Sequence, residues 1–283
     1  MGHQHIFIRK KFVPYNGAKY AWAFRELPVT TILNTAYTGP LFRARRVSDN
    51  AESDFYQGAS VGTYDTTRGG GGTDLATWAG TGSSDAALLV KWYDQTGNAN
   101  DMTQTTTTLQ PIIYEVATGG INTFGTGGVM AMKQNGSYRM NLTTSISTRQ
   151  DMYVVNGAYR TSTAQWTIGL ANTSNPTYSA LEYSDGNIYY SDGSTYMYNA
   201  TSNTNPKCLT VRRSGTTLSM RINGSAVTTT GTGAAGGGTT FTHFLYYFGG
   251  ANGNNYQQEC IVLTDGTYTI ADVESDMITV NGY

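Results

Sequence analysis

The chain has two cysteines, Cys208 and Cys260, in 283 residues. That is too few for a disulfide framework, and each lies in an apolar, strand-like run (Lys207 to Arg212, Glu259 to Leu263), which predicts buried free thiols. Charge is scarce too, at 13% against about 25% in an average soluble domain. This shortage argues against long amphipathic helices with charged faces. No stretch approaches the roughly 18 apolar residues of a membrane-spanning helix, and the opening MGHQHIFIRKKF lacks the apolar core of a signal peptide. The expectation is a chain that neither inserts into membranes nor leaves the cell by a cleaved signal. A net charge of -1 predicts no attraction to nucleic acid. There is no P-loop, zinc motif, EF-hand or GxSxG elbow, so no cofactor and no metal are expected. His3 and His5 form only a His-x-His pair without a third ligand, and His243 reads as a satisfied strand residue.

What the chain does have is strand and turn material: 34 Gly, 21 Tyr, 9 Phe and 4 Trp. Strand-like runs separated by turn clusters recur: Leu41 to Val47, Leu88 to Tyr93, Pro111 to Val116, Val129 to Lys133, Met152 to Tyr159, Trp166 to Leu170. They continue with Tyr178 to Tyr183, Asn187 to Tyr190, Cys208 to Arg212, Leu218 to Ile222, Phe241 to Phe248 and Tyr256 to Leu263. Many short strands with Asp-Gly, Asn-Gly and Gly-Gly turns predict an antiparallel β-sandwich. Two hairpins are specified locally, one turning at Asp185-Gly186 and one at Asn223-Gly224, because these residues tolerate positive φ. Ala21 to Leu27, stopped by Pro28, reads as a short helix. Thr269, with Asp272 three residues on and Val273 and Met277 on one face, reads as the start of a C-terminal helix. The runs Gly69 to Gly72 and Gly231 to Gly238 read as loops without chemistry.

Residues 1–46 carry eight basic side chains against the single acid Glu26, so this part holds +7 and the rest -8. Residues 1–16 read as an extended basic arm, with 17–283 as one sandwich domain. The bias fits a solvated, internally paired face or, through Arg9, Lys10 and Lys11, an anchor onto an acidic partner.

Three stretches resemble the catalytic module of fungal-type α-L-arabinofuranosidase B and its bacterial and phage relatives: Ala36 to Glu52 (AYTGPLFRARRVSDNAE), Trp92 to Gln104 (WYDQTGNANDMTQ) and Phe248 to Gly253 (FGGANG). The second is similar to the family's YDQSGNG pattern. The resemblance runs from about residue 17 to the end, with the middle matching in strand rhythm, and it implies a two-sheet, concanavalin A-like jelly roll of the lectin/glucanase kind, with short capping helices. In WYDQTGNANDMTQ, Asp94, Gln95, Asn98 and Asn100 are expected to bond their own loop backbone, with Trp92 and Tyr93 inserted into the core.

Retaining glycoside hydrolysis needs two carboxyl groups, one acting as acid and one as nucleophile. The family's acid lies in a Gly-Gly-Asp-Asn segment, which here reads Gly249-Gly250-Ala251-Asn252. Its nucleophile aligns loosely with Leu181 to Asp185, where Glu182 and Asp185 read as a relic pair or, better for Asp185, as the residue its hairpin turn calls for, and the family's vicinal cysteines are missing. The resulting expectation is a non-enzymatic phage virion surface protein: a decoration, head-fibre or tail-adhesin subunit made in the host cytoplasm. It would be anchored to capsid or tail proteins by the arm, homo-oligomeric, and able to bind glycans through Trp166, Tyr183, Tyr189, Tyr190 and Asn252. The alternative is an α-L-arabinofuranosidase-like hydrolase with a displaced acid.

Overall fold

The computed structural model describes residues 17–283 apart from 30, 135–137, 149–151, 162–166, 173–176, 183–186, 193–195, 200–203, 215–216, 232–239, 245–254 and 265–268. The basic arm with Arg9, Lys10 and Lys11, and the residues Trp166, Tyr183, Asp185, Ala251 and Asn252, therefore lie outside the described residues.

The strands form two antiparallel layers. The first centres on Asn255–Thr264, bordered on one edge by Tyr20–Ala23 and Met132–Gln134 and on the other by Met152–Arg160. It continues through Lys207–Ser214 and Thr217–Ile222 to Ser225–Val227. The second layer starts with Glu52–Gln57, Phe42–Arg46, Ala86–Trp92, Met102–Thr103 and Met140–Ser147. From there it passes through Thr240–Phe244, Leu170–Asn172, Thr177–Glu182 and Ile188–Asp192 to Tyr196–Asn199. The expected β-sandwich is the observed fold.

Side chains alternate across a strand with period two, and this decides what each layer buries. Trp22, Met152, Val154, Leu209, Val211, Cys260 and Val262 share the core between the layers with Phe42, Leu89, Trp92 and Phe244. The opposite face of the first layer, with Val155, Cys208, Ile261 and Leu263, is covered by Val273 and Met277 of the C-terminal helix Ile270–Asn281. Burial on both faces is why these strands read as unbroken apolar runs, and it leaves Cys208 and Cys260 as buried free thiols. Stacked rings fill the core, Phe24 reaching Trp92 of the second layer at 4.7 Å and Phe42 stacking on its cross-strand neighbour Phe55 at 5.3 Å, each pair adding about 0.5–1.5 kcal/mol beyond its buried area.

One expected helix is a strand. Tyr20–Ala23 pairs with Asn255–Thr264, placing Trp22 opposite Cys260. Seven residues are too short for periodicity to separate helix from strand, and the deciding hydrogen bonds come from the far end of the sequence and from the WYDQTGNANDMTQ segment. Asp94 Oδ1 accepts the Ala21 N–H at 3.0 Å, and Gln95 Nε2 donates to the carbonyls of Ala23 and Arg25 at 3.1 and 2.8 Å. Trp22 Nε1 donates to the Asn100 carbonyl at 2.9 Å, and Asn98 Nδ2 to that of Lys19 at 2.7 Å. Of the four side chains expected to bond their own loop, Asp94 does, accepting from the Thr96 and Asn100 N–H groups; Gln95 and Asn98 staple the first strand instead, and Asn100 Oδ1 accepts the Thr144 N–H at 2.7 Å. Trp92 is in the core, whereas Tyr93 is only half-buried and donates its hydroxyl to Asp54.

The early helix is instead Leu75–Ala79, capped by Asp74, which accepts the Thr77 N–H at 3.0 Å. Thr269 does stand at the N-cap of Ile270–Asn281, though without a side-chain cap bond. That helix is tied down by charge: Arg25 reaches Glu259 and Asp276, each at 2.5 Å, and Arg221 reaches Glu274 at 2.9 Å. With Arg43 on Asp54 and Arg46 on Asp49, much of the early positive charge is paired internally. The Asn223-Gly224 hairpin forms with both residues at positive φ, 47° and 76°, as a type I′ turn requires. The strands flanking Asp185-Gly186 also pair, Leu181 with Tyr189 and Glu182 with Ile188.

Candidate functional site

The inner face of the first layer changes character along its length. On Met152–Arg160, the positions that begin with Met152 and Val154 in the core continue, by alternation, to Asn156, Ala158 and Arg160. Cross-strand register sets Leu209 and Cys260 beside Asn156, Lys207 and Gln257 beside Ala158, and Asn255 beside Arg160. An apolar face thus ends in a polar one, and all five of its polar residues, Asn156, Arg160, Lys207, Asn255 and Gln257, are buried.

Two of them stand out. Among the described residues, neither the amide nitrogen nor the amide oxygen of Asn156 or of Gln257 has a hydrogen-bond partner, and both residues are 0% exposed. A buried polar group without a partner costs about 1–3 kcal/mol, so a fold retains such groups where water or a ligand completes them. A primary amide offers one acceptor and two donors side by side, a match for the hydroxyl groups of a sugar.

The second layer reaches the same place through Gly169. A Cβ built there would lie 2.7 Å from Ser179 Oγ and 2.9 Å from Asn156 Oδ1, so only glycine leaves room. Ser179, in Thr177–Glu182, is buried and accepts the Leu170 N–H at 2.9 Å. Further along that strand is Glu182, which pairs with Thr167 and with the core residue Ile188. The chain leaves the polar end at Arg160 and returns to it at Asn255.

The remaining expected residues separate. Tyr189 is half-buried, its ring 5.4 Å from that of Tyr198 and its hydroxyl accepting from Asn187 Nδ2 at 3.3 Å. Tyr190 is 1% exposed and part of the core, so in this conformation it has no open ring face to stack on a sugar. His243 Nδ1 lies 2.7 Å from Thr242 Oγ1, and burial, with Arg139 nearby, pushes its pKa down to about 4. Among the described residues no group of three or more His, Cys, Asp or Glu could hold a metal ion. Asn156 and Gln257 carry no aromatic ring and so are not among the sugar-binding candidates of the sequence. The available signal was a polar residue interrupting an apolar strand at inward parity, as in VVNGAY and YQQECIVL.

Against family models the sequence finds no match, and among curated proteins it finds none either. Solved structures do match. An arabinofuranosidase in complex with arabinofuranosyl-α-1,2-xylobiose aligns at 14% identity and TM-score 0.51, and a GH54 α-L-arabinofuranosidase soaked with a cyclic sulfate inhibitor at 15% and 0.54. A GH54 variant soaked with 4-nitrophenyl α-L-arabinofuranoside aligns at 13% and 0.52. Each alignment covers 94% of this chain and 62% of the other, so the chain spans less than two thirds of those proteins. At this identity the likeness establishes the fold and supports the arabinofuranosidase resemblance.

These matches correct the expectation of a non-enzymatic chain. The scaffold they share with it is that of glycoside hydrolases. Ala251 at the place of the acid, a loosely aligned nucleophile and the missing vicinal cysteines do not decide the matter, because retaining hydrolysis fixes the separation of two carboxyl groups, about 5–5.5 Å, and not the loop that supplies them.

Proposed function

We propose that this chain is an α-L-arabinofuranosidase-like glycoside hydrolase that works at the polar end of the sandwich, with Glu182 as nucleophile and an acid displaced from the family's usual loop. The observation that carries this reading is the pair of buried, unpartnered amides of Asn156 and Gln257, which converge with Ser179 and Gly169 on the strand that ends at Glu182. In the reaction, the Glu182 carboxylate attacks the anomeric carbon as the bond to the leaving oxygen breaks, and that oxygen takes a proton from the second carboxyl group. The second group, now a base, removes a proton from water, which cleaves the glycosyl ester and restores both residues. Asp185, close to Glu182 in sequence, is the first residue to test as acid. Asn156 and Gln257 orient the sugar through its hydroxyls.

The test is release of 4-nitrophenol from 4-nitrophenyl α-L-arabinofuranoside. The expected result is turnover by the parent chain that Glu182→Gln abolishes, with Asp185→Asn slowing it and removing the alkaline limb of the pH profile, where the general acid loses its proton. A parent chain no faster than buffer, or a Glu182→Gln chain as fast as the parent, refutes the proposal.

A further inference from the structure

A second polar recess shares no residue with the inner-face site. Glu26, Gln57, Gly58, Arg68 and Gly69 line a cleft of about 390 Å³, within the range of about 300–1,000 Å³ typical of ligand pockets. Its outer wall is the glycine-rich loop that the sequence alone marks as devoid of chemistry.

That wall is held in place by side chains. Asp65 Oδ1 accepts the N–H groups of Thr67 and Gly72 at 2.8 and 2.9 Å, and Thr66 Oγ1 accepts that of Thr73 at 2.9 Å. The Gly69 N–H returns to the Gln57 carbonyl at 3.0 Å. Gly69 has φ +79°, and a Cβ there would meet nothing within 4 Å. Glycine at this point serves the backbone conformation.

The lining is electrically balanced and incompletely used. Arg68 binds Glu26 through two parallel bonds, Nε to Oε1 at 2.6 Å and Nη2 to Oε2 at 2.7 Å, leaving Nη1 without a partner among the described residues. Gln57 Oε1 accepts the Glu26 N–H at 3.0 Å, leaving its Nε2 likewise without one. An anion entering the cleft meets the Glu26 carboxylate, and a cation meets the Arg68 guanidinium. The ligand that suits both is uncharged and carries donors and acceptors on adjacent atoms. From this geometry we infer a second carbohydrate site, a cleft that holds one or two neutral sugar residues of a polysaccharide apart from the place of bond cleavage.

Affinity electrophoresis through gels containing neutral arabinoxylan tests this, using the Glu182→Gln chain so that the polymer is not consumed. The chain should be retarded, and adding Arg68→Ala or Gln57→Ala should weaken retention roughly five-fold or more, the loss of one hydrogen bond, with the circular dichroism spectrum unchanged. Absence of retardation, equal retardation of all variants, or stronger retention by acidic polygalacturonate would each overturn it. Retention is read without turnover, so the result stands separately from the hydrolase reading.

Discussion

Replacing Asn156 with leucine, its near-isostere, should make the protein more stable and less active. The side chain is fully buried, both its amide atoms lack partners, and its neighbours on the same face are Leu209 and Cys260. Removing an unsatisfied buried amide recovers about 1–3 kcal/mol, and leucine adds contacts to a surface already apolar on two sides. Crowding works against this, because Gly169 leaves little space near Asn156 Oδ1, but a near-isostere incurs only the low end of the overpacking cost, about 1 kcal/mol. The net expectation is a gain of roughly 1 kcal/mol, read in guanidinium unfolding followed by tryptophan fluorescence; for a domain of this size that is about 2–4 °C in Tm. Activity should fall about ten-fold in kcat/KM, as a sugar hydroxyl loses an orienting bond worth roughly 1.4 kcal/mol. A strong loss of stability in Asn156→Leu would refute the reasoning, since it would mean that the amide is structurally satisfied in solution. Stabilisation with activity unchanged would place the sugar elsewhere.

Other perturbations follow from the same structure. Arg25→Met strands Glu259, which is fully buried and keeps, among the described residues, only the bond from Asn281 Nδ2; chemical denaturation should show a loss of about 3–5 kcal/mol, against about 0–1 for Arg68→Ala at the exposed Glu26 pair. Asn223→Ala forfeits a bond to the Cys208 N–H at 2.8 Å and puts alanine at φ 47°, which should cost about 1–3 kcal/mol in the same assay. His243 stays neutral in the fold down to about pH 4, while the unfolded chain binds its proton near pH 6.5. Its contribution to stability is therefore complete above about pH 6.5 and lost as the pH falls toward 4; the full linkage of about 3 kcal/mol is cut to roughly 1 by solvent at a half-exposed ring. His243→Gln should flatten the unfolding midpoint across that window, and an unchanged acid slope would show that the ring does not contribute.

Local chemistry in the sequence determined a good part of this protein. Period-two alternation and unbroken apolar runs specified most of the strands, because burial on one face or both writes itself directly into residue order. Asn223-Gly224 specified its own turn, because positive φ is a property of the residues themselves. Thr269 to Met277 specified the helix that covers the first layer, because a single face of apolar residues must find a surface.

The rest was decided by pairing between distant segments. Within Ala21 to Leu27 the strand Tyr20–Ala23 formed in place of a helix because an edge of Asn255–Thr264 and the amide of Gln95 were waiting for its backbone groups, and no window of seven residues contains that information. Glu52–Gln57 and Met140–Ser147, written in polar residues, became strands for the same reason. The inner-face site follows this rule most strictly. Asn156, Gln257, Ser179 and Gly169 are unremarkable in sequence, and their meaning lies in register: only when the strands are laid side by side do two amides share a buried face without a partner among the described residues, and only then does the polar end of an apolar sandwich become a candidate site.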